Sequence, residues 1–217
     1  MNVIILISGR GSNMEAILAA KLPIRVAAVI SNRPGAAGLA TAQRHGIPNL
    51  VIDHKAYATR AEFDSALGNA IDAYAPDYVV LAGFMRVLGA DFIARFPNRI
   101  LNIHPSLLPS FPGLHTHQRA LEAGVKIHGA TVHVVTPELD HGPILAQAAV
   151  PVIPGDTEDE LATRVLAQEH RIYPAVLKAL ADGRIKIGAD GVVRQTETGV
   201  EPGKVERFLR QPEDQGA

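Results

Sequence analysis

Asn102 and His104 stand two residues apart in the stretch Asn102-Ile103-His104-Pro105-Ser106-Leu107-Leu108-Pro109. An apolar run, Arg99-Ile100-Leu101, precedes them and reads as a buried strand. Pro105 cannot donate to a sheet ladder, so the strand is expected to end near His104. Residues two apart in a strand point to the same side. The amide and the imidazole should therefore face one way at the strand's carboxyl end. An amide donor beside an imidazole can polarise a carbonyl and move a proton. Asp140 lies in a loop marked by Gly142 and Pro143. If that loop folds back over the strand edge, the carboxylate can sit beside His104 and favour its imidazolium form. Each residue also has a plainer reading: satisfied polar groups at a strand end, and a turn residue in the case of Asp140.

A second chemical stretch is Ser8-Gly9-Arg10-Gly11-Ser12-Asn13, between an apolar run and a helical one. Glycine lets backbone approach a ligand closely, and a helix N-terminus offers free N–H groups. With the Ser12 hydroxyl and the Asn13 amide, this suits a phosphate. It is not a dinucleotide fingerprint, because Met14 stands where a third glycine belongs and Ser31-Asn32 supplies no acid for a ribose. Nor does a Gly-Lys-Ser/Thr follow, so it is not a Walker loop. A plain tight turn is the alternative.

The elements that must position these groups can be read in order. Strands are expected at 3–7, 24–30, 48–52 and 77–81, alternating with helices at 14–20, 38–45, 59–74 and 91–95. Thr59 to Glu62 has capping-box spacing. Such alternation implies parallel strands with helices on both faces, and ligands at the carboxyl edge. The second half differs. A proline-rich loop, 105–112, leads to a helix at 117–123 and two strand-like runs, 130–135 and 144–150, that fit an antiparallel edge. A second capping box, Thr157 to Glu160, opens a long helix in which Pro174 should cause a kink or break near His170. A hairpin around Asp190-Gly191 follows, and from Gly199 the chain is polar and expected to be a loose tail. No linker divides residues 1–217, which read as a single domain.

The composition limits the classes of function. About half of the 217 residues are apolar (47%), enough for a sizeable core, and the net charge is −1, which implies no strongly basic nucleic-acid surface. There is no cysteine, which excludes disulfides, thiolate nucleophiles and thiolate zinc sites and fits a cytoplasmic protein. The apolar start, 2–7, is too short and lacks the basic leader of a signal peptide, and no run reaches membrane-span length. His115, His117, His128 and His133 invite a metal reading. No carboxylate lies at a familiar ligand spacing, so no metal is expected.

With these motifs in order the sequence resembles the phosphoribosylglycinamide formyltransferase family, folate-dependent enzymes of purine biosynthesis. The resemblance spans nearly the whole chain. It rests on Ile7-Ser8-Gly9-Arg10-Gly11-Ser12-Asn13, Leu81-Ala82-Gly83-Phe84-Met85-Arg86, the stretch from Leu101 to Pro109, Pro112-Gly113-Leu114-His115-Thr116-His117 and Gln168-Glu169-His170-Arg171-Ile172-Tyr173-Pro174. It implies a Rossmann-like α/β formyltransferase fold and transfer of a formyl group from 10-formyltetrahydrofolate, as cosubstrate, to the amine of glycinamide ribonucleotide. Asn102, His104 and Asp140 match the family's catalytic trio. Gly11, Ser12 and Asn13 match its substrate-phosphate loop, and Glu169 a residue that holds the substrate. Arg60, Met85, Arg86, Val87, Leu88, Asn102, Val135 and Asp140 match folate contacts. His141 and Leu166 depart from the family pattern, and no contact is carried over to Leu166.

The folate is expected against the 85–88 segment and the 135–140 loop, because both follow strands and would share the carboxyl edge. The partners implied are small molecules only, with neither nucleic acid nor membrane, for a monomer or homodimer. Two relatives with the same trio compete. A formyltetrahydrofolate hydrolase usually carries an extra N-terminal domain, and a methionyl-tRNA formyltransferase needs a C-terminal RNA-binding domain larger than the stretch after Ile187. A non-enzymatic nucleotide-binding module is the remaining alternative.

Overall fold

The computed structural model describes residues 1–195; the expected loose tail from Gly199 lies outside them. Strand β1, Asn2–Ile7, buries Ile4 and Leu6 in one apolar cluster and Val3, Ile5 and Ile7 in another. That is the two-sided burial that a continuous apolar run requires. Six further strands complete the sheet: β2 Arg25–Ser31, β3 Asn49–Val51, β4 Tyr78–Leu81, β5 Ile100–His104, β6 Ile127–Val134 and β7 Ile144–Pro151. Their order is β3-β2-β1-β4-β5-β6-β7. Pairing is parallel from β3 through β5 and antiparallel for β5–β6 and β6–β7. The strand order reverses between β1 and β4, and such a switch point opens a crevice at the carboxyl edge.

Helices cover both faces. Met14 and Ile17 of α1, Ser12–Ala19, and Ala42 of α2, Gly38–Arg44, pack on one side. On the other lie Phe63, Leu67 and Ile71 of α3, Arg60–Asp72, with Phe92 and Ile93 of α4, Ala90–Arg95. The Thr59 capping box forms as expected. A short helix, α5, spans Thr116–Glu122.

The long helix α6, Glu158–Ala181, opens on the Thr157 capping box and runs through Pro174 without the expected break. Its buried stripe explains the continuity: Leu161, Val165, Tyr173, Val176, Leu177 and Leu180 all pack inward. The Tyr173 hydroxyl lies 3.0 Å from both the Leu81 and the Leu101 carbonyl, anchoring the proline turn to β4 and β5. Tertiary burial of this stripe outweighs the hydrogen bond that Pro174 removes. A separate hairpin, β8 Ile185–Ile187 and β9 Val193–Gln195, follows. Among the described residues no helix is long and apolar enough to cross a membrane.

Candidate active site

Alternation along β5 puts Ile100, Asn102 and His104 on the face covered by α3 and α4, while Leu101 and Ile103 join the opposite cluster. The neighbouring β6 pairs His133 with Asn102 and Thr131 with His104. Thr131 acts as a post for the proline-rich loop. Its Oγ1 accepts from the Leu108 N–H at 3.0 Å and donates to the Ser106 carbonyl at 2.7 Å. The loop thereby brings the Phe111 carbonyl to His104, whose Nε2–H donates to it at 3.0 Å. On the other side of the ring, His104 Nδ1 lies 3.4 Å from Asp140 Oδ2. Both ring nitrogens therefore face oxygen acceptors, the Phe111 carbonyl on one side and the Asp140 carboxylate on the other. The two side chains are 7% and 8% exposed, so solvent screens the pair weakly.

Asp140 reaches this position by the fold-back that the sequence allows, but the loop starts from the opposite edge of the sheet. Because β6 runs antiparallel to β5, the loop after β6 leaves beside the opening of β5: the Val135 N–H donates to the Ile100 carbonyl. The 135–143 loop starts at the opposite edge and folds back, so that Asp140 reaches the carboxyl end of β5 beside His104 and Gly113. Gly142 allows the fold-back, since a Cβ there would lie 1.8 Å from the Val134 carbonyl oxygen. Asp140 adopts φ 53°, a left-handed conformation that aspartate tolerates, and its Oδ2 accepts the Gly113 N–H at 2.8 Å.

Asn102 is oriented by His133. The His133 Nδ1–H donates to the Val134 carbonyl at 3.0 Å, which leaves Nε2 as the acceptor for Asn102 Nδ2 at 3.2 Å. Burial holds the His133 pKa below the usual value, so the ring stays neutral and keeps that lone pair. The 3.8 Å approach of Asp140 Oδ1 to the same nitrogen is then not an ion pair. The amide keeps a second N–H for a ligand.

At the end of β1, Gly11 caps α1 with φ 77°. A Cβ at Gly11 would lie 3.2 Å from Gly38 Cα and from Met14 Cε. The glycine is thus required by packing and backbone geometry, in addition to any close approach of an anion. The first-turn N–H groups after Gly11 have no intrahelical acceptor. Asn13 reaches across to α6 and donates from Nδ2 to Glu169 Oε2 at 2.7 Å, while its buried Oδ1 has no hydrogen-bond partner among the described residues. Burial raises the Glu169 pKa, and the Asn13 amide and the charge of His104 oppose that rise. The glycine loop is thus tied to α6 through Glu169, whose carboxyl lies within reach of the His104 charge.

The expected folate residues gather on the α3/α4 side. Leu88 is buried in the cluster against which Val135 packs, while Met85 and Val87 remain 61% and 60% exposed. Arg60 is the first residue of α3, where the helix dipole disfavours a cation. It lines a cleft of about 580 Å³ with Asp64, Gly89 and Arg95.

A sequence model of the formyl transferase family matches residues 1–177. The chain belongs to the formyl transferase family. It is 51% identical over 191 residues to the phosphoribosylglycinamide formyltransferase of Escherichia coli K12, covering 86% of this chain and 90% of that protein. The fold superposes with a TM-score of 0.86 on glycinamide ribonucleotide transformylase 1 from Symbiobacterium toebii, at 50% identity, covering 91% of this chain and 94% of that one. The phosphoribosylglycinamide formyltransferase from Coxiella burnetii gives the same TM-score at 47% identity, covering 90% and 93%. This formyltransferase is therefore an enzyme of the transferase class.

The histidines of this formyltransferase that suggested a metal have other neighbours. His128 packs edge-on against Phe111 and His117, and its Nε2 is buried without a hydrogen-bond partner among the described residues. Among the described residues no group of three or more His, Cys, Asp or Glu side chains could hold a metal ion. Burial, then the charge of His117, lowers the His128 pKa to about 4. The unfolded chain binds this proton near pH 6.5 and the folded one only near pH 4, so stability is lost as pH falls through that window. At pH 4.5 the loss from this group is on the order of 2 kcal/mol. The difference in urea midpoint between pH 7 and pH 4.5 should shrink in His128→Gln. An unchanged difference would mean that His128 is not the group responsible.

Proposed function

We propose that this formyltransferase moves the formyl group of 10-formyltetrahydrofolate onto the primary amine of glycinamide ribonucleotide, giving formylglycinamide ribonucleotide and tetrahydrofolate. The observation that carries this reading is the crevice at the switch point. It holds an amide donor and an imidazole–carboxylate pair between an anion-suited helix terminus and an open apolar wall, in a chain half identical to enzymes named for this reaction. The phosphate would sit on Gly11, Ser12 and Asn13, with Glu169 holding the nucleotide. The folate would lie against Met85, Arg86, Val87, Leu88 and Val135, with Arg60 meeting the carboxylates of its tail.

The chemistry follows from these positions. The amine attacks the formyl carbon, the carbonyl becomes a tetrahedral oxyanion, and the bond to the folate nitrogen breaks. The free N–H of Asn102 donates to the oxyanion. A protonated His104, paired with Asp140, stabilises it and gives its proton to the leaving nitrogen, and the neutral imidazole so formed takes the proton that the attacking amine loses. No covalent enzyme intermediate and no metal enter these steps. Both ligands are small molecules, and the absence of cysteine suits a reducing cytoplasm.

The test offers the purified protein three acceptors with 10-formyltetrahydrofolate: glycinamide ribonucleotide, water and methionyl-tRNA. Formylation of glycinamide ribonucleotide alone is expected, read by product mass. Comparable turnover with water, or with the tRNA, would overturn the assignment. Arg60→Ala should raise KM for the folate about tenfold through loss of a charge-assisted contact and leave the nucleotide KM unchanged. A rise in the nucleotide KM instead would put the two halves of the site the wrong way round.

A further inference from the structure

The 85–88 segment lies between β4 and α4 with no regular structure of its own, yet as a folate wall it must present fixed backbone groups. Two buried side chains hold its ends. At the first, Ser8 is 3% exposed, and its Oγ accepts the Met85 N–H at 2.7 Å. The same hydroxyl donates to Asn32 Oδ1 at 2.6 Å, and the Ser8 N–H donates to the Gly83 carbonyl at 3.2 Å. At the second end, Asp64 Oδ2 accepts the Gly89 N–H at 2.8 Å.

Asp64 is an unusual occupant of its place. It is 7% exposed on the α3 face that otherwise buries Phe63, Leu67 and Ile71. Burying a carboxyl group among apolar neighbours is costly without a compensating role. Burial raises its pKa, opposed by the Gly89 N–H and by the charges of Arg60 and Arg86. Arg60 stands one helical turn before Asp64, and Arg86 belongs to the 85–88 segment itself. The same carboxylate thus lies beside Gly89 together with the Arg60 guanidinium and holds the N–H that follows the 85–88 segment.

We propose that Asp64 and Ser8 are positioning residues of the folate site, each fixing one end of the 85–88 segment by a backbone hydrogen bond to a buried residue's side chain. This rests on the folate placement proposed above. It assigns a role to two side chains that neither touch the reacting atoms nor stand in the ligand-facing set.

The test compares wild type, Asp64→Ala, Asp64→Asn, Ser8→Ala and, as a probe of the wall itself, Val87→Asp, all as the full chain. Tetrahydrofolate is titrated calorimetrically, and hydrogen exchange is followed for the peptide that covers 83–89. Asp64→Ala and Ser8→Ala should each weaken tetrahydrofolate about tenfold and speed exchange in that peptide. In Asp64→Ala, nucleotide KM and kcat at saturation should stay within about threefold of wild type. Asp64→Asn should recover most of the affinity and the protection, because its side-chain oxygen still accepts the Gly89 N–H. It is isosteric, so it also keeps the test valid if the alanine variant folds poorly. Unchanged affinity in Asp64→Ala and Ser8→Ala, with Val87→Asp weakened, would overturn the inference alone. Unchanged affinity in Val87→Asp would overturn the folate placement and the inference with it.

Discussion

Replacing Asp140 by asparagine is expected to lower kcat by about a thousandfold while KM for both substrates stays within about threefold. The asparagine oxygen can still accept the Gly113 N–H that Asp140 Oδ2 accepts at 2.8 Å, so the 135–143 loop should keep its fold. What disappears is the negative charge 3.4 Å from His104 Nδ1. The imidazolium matters most when the oxyanion forms and the leaving nitrogen takes its proton. A loss confined to that moment appears in turnover, whereas uniform binding appears in KM. His104→Ala should cost a similar factor. The double variant should cost little more than either single one, because the carboxylate acts only through the imidazole. A double-mutant cycle on kcat measures this directly. Multiplicative losses would mean that Asp140 acts independently of His104, and a near-normal Asp140→Asn would return it to the role of a turn residue.

Local rules made much of this arrangement legible. The period of two along 100–104 and the stop at Pro105 placed Asn102 and His104 on one face at a strand end, where β5 has them. The Thr59 and Thr157 capping boxes marked two helix starts correctly, because side-chain capping is decided within four residues. What depended on strand register was not legible. No local pattern says that β6 runs back along β5, so the expectation that the loop folds back to His104 carries no sign that it starts from the opposite edge. His133 was considered only as a metal ligand, although Thr131 and His133 alternate with apolar neighbours, and that alternation was a signal that both share a face. Its part in orienting Asn102 comes from the cross-strand pair, a contact 31 residues apart in sequence. At Pro174 the break does not occur, for the opposite reason. A strong local rule yielded to the buried stripe of α6, which includes Tyr173 beside it.

Gly11→Val should raise the nucleotide KM by about a hundredfold or more while calorimetric affinity for tetrahydrofolate stays within about threefold. The backbone at Gly11 sits at φ 77°, where a β-branched residue is a genuine outlier, and the added Cβ would meet Gly38 Cα and Met14 Cε at 3.2 Å. Neither contact yields freely: one is backbone and the other fills the core beneath α1. The start of α1 should therefore shift and carry with it the N–H groups of Ser12 and Asn13 that would face the phosphate. Asn13 would also lose its 2.7 Å bond to Glu169, the link that sets the distance between the loop and α6. The folate wall hangs on β4, on Asp64 of α3 and on Ser8, which precedes the turn at Gly11 and is held by Asn32, so it should feel little of this. Gly9 supplies the control. It stands in the same loop, but a Cβ there meets nothing within 4 Å, so Gly9→Ala should leave nucleotide binding and melting temperature close to wild type. Equal nucleotide binding by Gly11→Val and wild type would mean that the anion lies elsewhere. Equal damage from Gly9→Ala would mean that the loop acts through its flexibility, not through the fixed turn at Gly11.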